Sequence, residues 1–255
     1  MTPFRSIDLN ADLGEHAGDG AAADAAIMSF VTSASIACGA HAGSPEVMRA
    51  TVMAAMERGV VIGAHPGYPD RDGFGRRDMD LTPEALIESV TSQIRRLDDC
   101  CTGAGARMRY VKPHGALYNR AGRDAIIAQA IVEAVRAVNG ELVVLALSGG
   151  RLVNEARRAG LTVAREAFID RAYMPDGTLV ARDRPGALID DPRAATHQAL
   201  GIAQDGSVEA IDGSRVTVDA ESLCVHGDNP SALSIVTAAR NRLELEGVTI
   251  QPFLR

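Results

Sequence analysis

The chain is nearly devoid of lysine: Lys112 stands alone against twenty-five arginines. Lysine is a compact point charge whose pKa moves on burial, whereas arginine is a fixed planar fork. A site that keeps the one lysine between the apolar run Met108 to Val111 and a Pro113-His114-Gly115 turn asks for a slender donor or a tunable amine. Several other features are missing. No run of 18 apolar residues exists, which excludes a membrane-spanning helix. The four cysteines have no C-x-x-C spacing, which argues against a zinc ribbon. Cys100 and Cys101 are adjacent on a predicted helix, while Cys38 and Cys224 end apolar strands, where buried free thiols are common. No G-x-G-x-x-G follows the first strand and no G-x-x-x-x-G-K-[ST] occurs, so neither nucleotide fingerprint is present. A net charge of −7 and a pI near 5.4 argue against a nucleic-acid or anionic-membrane surface. Met1 to Arg5 lead straight into a strand-like segment without room for a signal peptide, so a reduced, cytoplasmic protein is expected.

What is present is a regular alternation. At 255 residues and 46% hydrophobic, the chain suits one large α/β core, residues 1–255. Short apolar runs predict strands over residues 7–11, 34–38, 60–64, 108–111, 142–147, 162–167 and 223–225. Amphipathic stretches predict helices over 21–31, 45–58, 83–101, 123–138, 150–158, 192–204 and 230–245. Ser44-Pro45, Thr82-Pro83, Asp191-Pro192 and Asn229-Pro230 are helix starts with a cap before proline. Gly59, Gly140, Gly160 and Gly247 stand where helices should end. Alternating βα units imply a parallel sheet, and this many in so short a chain fit a (β/α) barrel better than an open sheet. Two polar insertions, near 172–182 and 207–219, read as hairpins turning at Asp176-Gly177 and Asp212-Gly213.

The polar residues collect at strand ends. Asp8, Asn10 and Asp12 share one face of the first strand, a costly arrangement unless partners or a ligand meet them. Glu15 follows that strand, and His41, His65, His114 and His226 each follow a later one, all next to or one residue from glycine. Asp170 and Arg171 close the sixth strand, and Asp228 lies just beyond His226. In a barrel these ends converge on one mouth, the face that carries active sites. The loop from Pro66 to Arg77 adds glycines and the paired Arg76 and Arg77, able to grip phosphate or carboxylate, although its spacing equally describes a surface turn. Tyr118 and Asn119 either face the same cavity or begin the next helix, and Tyr173 and Arg182 flank the first hairpin, a possible flap.

Taken together, Asp8-Leu-Asn-Ala-Asp12-Leu-Gly-Glu15, Ser35 to Gly43, Gly63 to Asp70 with Gly73 to Arg77, Val111 to Asn119, Asp170 to Tyr173 and Cys224 to Asp228 resemble the signature blocks of the LamB/YcsF lactam-utilisation family. The resemblance spans about residues 7 to 250. It implies a (β/α)7 barrel related to the glycoside hydrolase/polysaccharide deacetylase barrels. It also implies the A component of an ATP-dependent 5-oxoprolinase, cleaving 5-oxo-L-proline to L-glutamate with ATP (and Mg²⁺) alongside subunits B and C. The deacetylases' Thr-Phe-Asp-Asp-Gly and His-x-x-x-His motifs are missing, so their zinc site is not carried over.

On that reading Lys112 meets the transferring phosphate or the developing oxyanion, and a histidine among His41, His65, His114 and His226 is the general base. Asp12, Asp170 and Asp228 orient those imidazoles or hold Mg²⁺. Asp8, Asn10, Glu15, Arg76, Arg77, Tyr118 and Asp228 are the candidates for holding substrate or phosphate. Two alternatives compete: a metal-dependent amidohydrolase or deacetylase working without ATP, and a non-catalytic component that only binds substrate.

Overall fold

A computed structural model describes residues 6–16 and 19–254; Met1 to Arg5, on which the expectation about a signal peptide rested, lie outside them. Seven parallel strands close a barrel: β1 (Ser6–Leu13), β2 (Ser33–Ala37), β3 (Val61–His65), β4 (Met108–Val111), β5 (Val143–Leu147), β6 (Val163–Phe168) and, after two short insertion strands, β9 (Ser222–His226), which pairs back onto β1. The closing register sets Asp8 beside Ser222, Asn10 beside Cys224 and Asp12 beside His226. The insertion strands β7 (Ser207–Glu209) and β8 (Arg215–Thr217) form an antiparallel hairpin, and β10 (Thr249–Ile250) adds to the start of β1.

Helices α1 (Asp19–Ile27), α2 (Pro45–Arg58), α3 (Pro83–Ala104), α4 (Gly115–Ala121), α5 (Ala125–Val138), α6 (Arg151–Arg158), α7 (Pro192–Leu200) and α8 (Ala232–Leu245) surround the sheet. In α3 the buried residues Leu86, Val90, Ile94, Leu97 and Cys101 recur at helical spacing, and each large one contributes about 1.5–3 kcal/mol by leaving water. Ser44, Thr82 and Asp191 accept hydrogen bonds from the first-turn amides of helices that open with proline. Several boundaries differ from expectation. Helix α1 ends at Ile27 rather than near residue 31. The stretch predicted as one helix from Arg123 starts only at Ala125, because the Asp124 carboxylate caps Ile126 and Ile127; the short α4, ahead of it, went unpredicted. Asn229 accepts from the Ser231 amide as a turn, so α8 begins two residues after Pro230. Helix α5 ends on Asn139 rather than Gly140.

The barrel interior is unusually polar, and sterics set its layout. Gly63 has no side chain because Tyr110 fills that space: a Cβ there would overlap the Tyr110 ring. Tyr110 in turn shares a 3.1 Å hydrogen bond with the Ser35 hydroxyl. Asp8, fully buried, accepts from Thr32 and Ser33 at 2.6 Å and from Ser222. Burial raises its pKa to about 6 despite those hydroxyls.

Candidate active site

The floor of the barrel mouth is an ion group built around Lys112, which is 1% exposed. Its Nζ lies 2.9 Å from Asp12, 2.7 Å from Glu166, 3.2 Å from the Asn10 carbonyl and 3.0 Å from the Cys224 sulfur. Burial alone would favour the neutral amine, but Asp12, Cys224 and Glu166 together hold its pKa well above the ordinary lysine value. Lys112 is therefore a fixed ammonium rather than a tunable amine. Asp12 carries the complementary effect: burial raises its pKa, and His65 and Lys112 outweigh that and bring it well below the usual carboxylate range. Because an ammonium has three protons, these neighbours already use its donors, and a phosphate or oxyanion would have to displace one of them.

Asn10 is consumed in the same network, its amide donating to Glu166 at 2.9 Å and to Ser222 at 2.7 Å. Asp8 and Asn10 thus meet protein partners beneath the mouth instead of a ligand. Tyr118, in the middle of α4, faces the cleft; its hydroxyl donates to Glu166 at 2.8 Å. Glu166 is the residue that sequence reasoning missed. It sits between Ala164 and Phe168 on alternate positions of β6, so a carboxylate on the same face as two buried apolar residues was the available signal.

Above this floor the ends of β1 to β4 bring Glu15, His41, His65 and His114 together, one ligand atom from each lying within 4.8 Å of the others. Nδ1–H of His65 donates to the Lys112 carbonyl at 2.8 Å, and Nε2–H of His114 donates to the Phe74 carbonyl at 2.8 Å. Phe74 adopts a left-handed φ of 55° to present that carbonyl, a strained state for a bulky residue. Gly75 follows it without a side chain because a Cβ there would come 2.8 Å from His41 and 2.9 Å from His114. From behind, Gln93 on α3 pins the loop, pairing with both the amide and the carbonyl of Gly67 at 2.9 and 2.8 Å. Burial, reinforced by the His41 and His65 imidazoles, lowers the His114 pKa well below that of free histidine, and burial lowers His41 too. The set of three imidazoles and a carboxylate is one that can hold a transition metal.

On the opposite side of the mouth, β6 and β9 supply a dyad. The Asp170 carboxylate accepts from the His226 amide at 2.9 Å and from its Nδ1–H at 3.0 Å, while the ring stacks on Phe168 at 5.2 Å between centroids. Burial raises the Asp170 pKa, but His226 overcomes this and keeps it below the ordinary value. His226 lines a cleft of about 1050 Å³ together with Asp12, His65, Lys112, His114 and Arg76. Asp228 pairs with Arg76 and, at 3.1 Å, with Arg182 from the first insertion; burial raises its pKa and the two guanidiniums, Arg182 first, bring it below normal. That insertion turns at Asp176-Gly177 and is anchored by Arg171, which donates to the Val180 carbonyl at 2.6 Å, and by Tyr173, whose hydroxyl accepts from the Phe168 amide at 2.7 Å. Arg77 departs from the expected grouping: it is bound to Asp70 within its own loop, 65% exposed and away from the cleft. The thiols of Cys38, Cys100, Cys101 and Cys224 are all free. Among the described residues no helix is long and apolar enough to cross a membrane.

The LamB/YcsF family profile matches residues 7–255. The chain belongs to this family. The A component of 5-oxoprolinase from Agrobacterium fabrum is 48% identical over 249 residues, covering 97% of this chain and 98% of the relative. The crystal structure of a lactam utilization protein from Thermus thermophilus superposes with a TM-score of 0.89 at 43% identity, covering 96% of this chain and 99% of that one. The peptidoglycan deacetylase PdaC from Bacillus subtilis, 11% identical with a TM-score of 0.50 over 98% of this chain and 88% of its own, shares the fold alone. The family's (β/α)7 barrel is thus related to the deacetylase barrels.

Proposed function

We propose that this chain is the A component of an ATP-dependent 5-oxoprolinase, a hydrolase that opens 5-oxo-L-proline to L-glutamate while ATP becomes ADP and phosphate, in a complex with subunits B and C. The full-length likeness to relatives named as that component of 5-oxoprolinase supports the assignment. The observation that carries it is His226. Asp170 fixes its Nδ1–H, and no hydrogen bond to Nε2 is found among the described residues, so a basic nitrogen is left on a residue lining the cleft. That is the arrangement a general base needs.

A five-membered lactam is an unstrained, resonance-stabilised amide, so water attack on it requires prior activation. Transfer of a phosphoryl group to the amide oxygen supplies that activation and leaves a carbon open to water. His226 takes the proton from the attacking water and returns it to the ring nitrogen as the C–N bond breaks, which leaves an acyl phosphate; a second water then displaces phosphate and gives L-glutamate. Arg76 and Arg182, already gripping the Asp228 carboxylate, are the groups for the substrate's carboxylate. Lys112 acts from beneath by keeping Asp12 ionised and oriented toward His65, where the two lie 3.3 Å apart. No phosphate-cradling glycine loop of the known kinds occurs in the sequence. Measuring nucleotide affinity of the isolated chain and of each partner therefore locates the ATP.

The test is glutamate release from 5-oxo-L-proline by this chain alone and with its two partners, with ATP supplied or omitted. Release that needs both partners and ATP supports the reading. Release by the chain alone without ATP replaces it with an ATP-independent amidohydrolase.

A further inference from the structure

The histidine cluster on β1 to β4 has a feature that the lactamase chemistry leaves unused. Two backbone carbonyls fix the tautomers of two of its rings. His65 spends its Nδ1 proton on the Lys112 carbonyl, so its Nε2 holds a lone pair; His114 spends its Nε2 proton on the Phe74 carbonyl, so its Nδ1 holds one. These two lone-pair nitrogens face each other at 2.9 Å. The Glu15 carboxylate lies 3.3 Å from the same His114 nitrogen and 3.2 Å from Nε2 of His41. Asp12 is 3.3 Å from Nε2 of His65. With the rings neutral, His65 Nε2, His114 Nδ1 and the Glu15 and Asp12 carboxylates are all acceptors, His41 alone having an N–H to offer Glu15, in a pocket whose histidines are at most 5% exposed; a cation between them relieves that crowding of lone pairs.

We propose that Glu15, His65 and His114, joined by His41, bind one divalent first-row transition ion, with zinc favoured. Imidazole and carboxylate donors select this class over magnesium and calcium, which prefer oxygen. In a tetrahedral zinc shell, neighbouring ligand atoms lie roughly 3.3 Å apart given the usual Zn–N and Zn–O lengths. The separations of 2.9, 3.2 and 3.3 Å here are close to that. The carbonyls behind His65 and His114 are the outer partners that metal-bound imidazoles regularly have.

His41 is the ring that must move. It lies parallel to His114, with an interplanar angle of 2° and centroids 3.8 Å apart, so an ion in the plane of one ring is out of the plane of the other. Its Nδ1 is buried with no hydrogen-bond partner among the described residues, so that nitrogen is free to turn toward an ion although Glu15 holds the other at 3.2 Å. Gly67 and Gly75 each lack a Cβ that would sit 2.8 Å from His41, which leaves room for it to tilt. An ion there would border the cleft that His65 and His114 line, where it can polarise a carbonyl or acidify a bound water.

Binding by the isolated full-length chain tests this separately from any lactam turnover. After chelator treatment, zinc is titrated calorimetrically and cobalt(II) is followed by its visible absorption. The expected result is one equivalent bound, with an intense four-coordinate cobalt spectrum. Glu15→Gln and His114→Ala should each weaken zinc binding by at least about 10- to 100-fold, the loss typical of removing even an outer partner. Cys100→Ser, the half-buried thiol outside the cluster, should bind as the parent does. If His114→Ala fails to fold, Glu15→Gln and His41→Gln give the same readout. Absence of binding, or zinc affinity unchanged in folded Glu15→Gln and His41→Gln, overturns the proposal and leaves a proton shared between His65 and His114 as the cation.

Discussion

Replacing Lys112 with methionine keeps an unbranched stem, one atom shorter, and removes the charge. In the parent, Asp12 and Glu166 converge on that ammonium at 2.9 and 2.7 Å, and neither side chain is more than 5% exposed. Breaking a buried ion pair by deleting one partner typically costs about 3–5 kcal/mol, because the remaining charge stays buried without compensation. For a domain of this size that corresponds to a fall in Tm of roughly 6–20 °C. The pH dependence has a definite sign. Lysine's folded pKa is raised, so its contribution is complete below the free-lysine value and constant across neutral pH. Asp12's folded pKa is depressed, so its contribution is present above its ordinary value of 3.8 and is lost as pH falls through the lower folded value. In the variant the two stranded carboxylates are relieved by protonation, and the gap from the parent therefore narrows as pH drops from about 8 toward about 4. Urea unfolding of both proteins across that range measures it. A Lys112→Met protein within about 1 kcal/mol of the parent at pH 7, a typical single-mutation effect, would refute the assignment of this ion group as the floor of the site.

Gly63→Ala forces a methyl into the Tyr110 ring and should destabilise the barrel by about 1–3 kcal/mol, the usual range of overpacking costs, by chemical denaturation. Asp8, with a folded pKa near 6, stays protonated while the unfolded chain ionises; stability therefore falls by about 3 kcal/mol between roughly pH 4 and 6, and Asp8→Asn should abolish that slope in urea melts. Arg182→Ala removes one of the two guanidiniums at Asp228, and steady-state assays of the assembled complex should show KM for the substrate rising roughly 10- to 100-fold, the value of a charge-assisted hydrogen bond of about 1.5–3 kcal/mol, with kcat largely kept.

The barrel was legible because its strands are short apolar runs with helices between them, and the caps at Ser44, Thr82 and Asp191 mark where those helices start. The mouth was legible because histidine, a rare residue, recurs directly after strands whose ends must meet once the sheet closes. The division of labour among the histidines was not. It depends on which ring nitrogen meets a carbonyl, and the Phe74 and Lys112 carbonyls that decide it lie 40 and 47 residues away in sequence from their rings. Glu166 was hidden by its setting, since a carboxylate next to Arg165 reads as a surface charge until the strand is known to be enclosed. Arg76 and Arg77 looked alike on spacing, and only packing sends one to Asp228 in the cleft and the other to Asp70 in its own loop.

The most direct measurement is glutamate release from 5-oxo-L-proline by the complex assembled with subunits B and C and supplied with ATP, comparing the parent chain with His226→Gln and Asp170→Asn. Loss of a positioned general base predicts turnover down by about 10²- to 10⁴-fold for His226→Gln, with a smaller loss for Asp170→Asn, and complex assembly unchanged. Parental turnover by a correctly assembled His226→Gln complex would contradict the claim that this barrel mouth is where the lactam is opened.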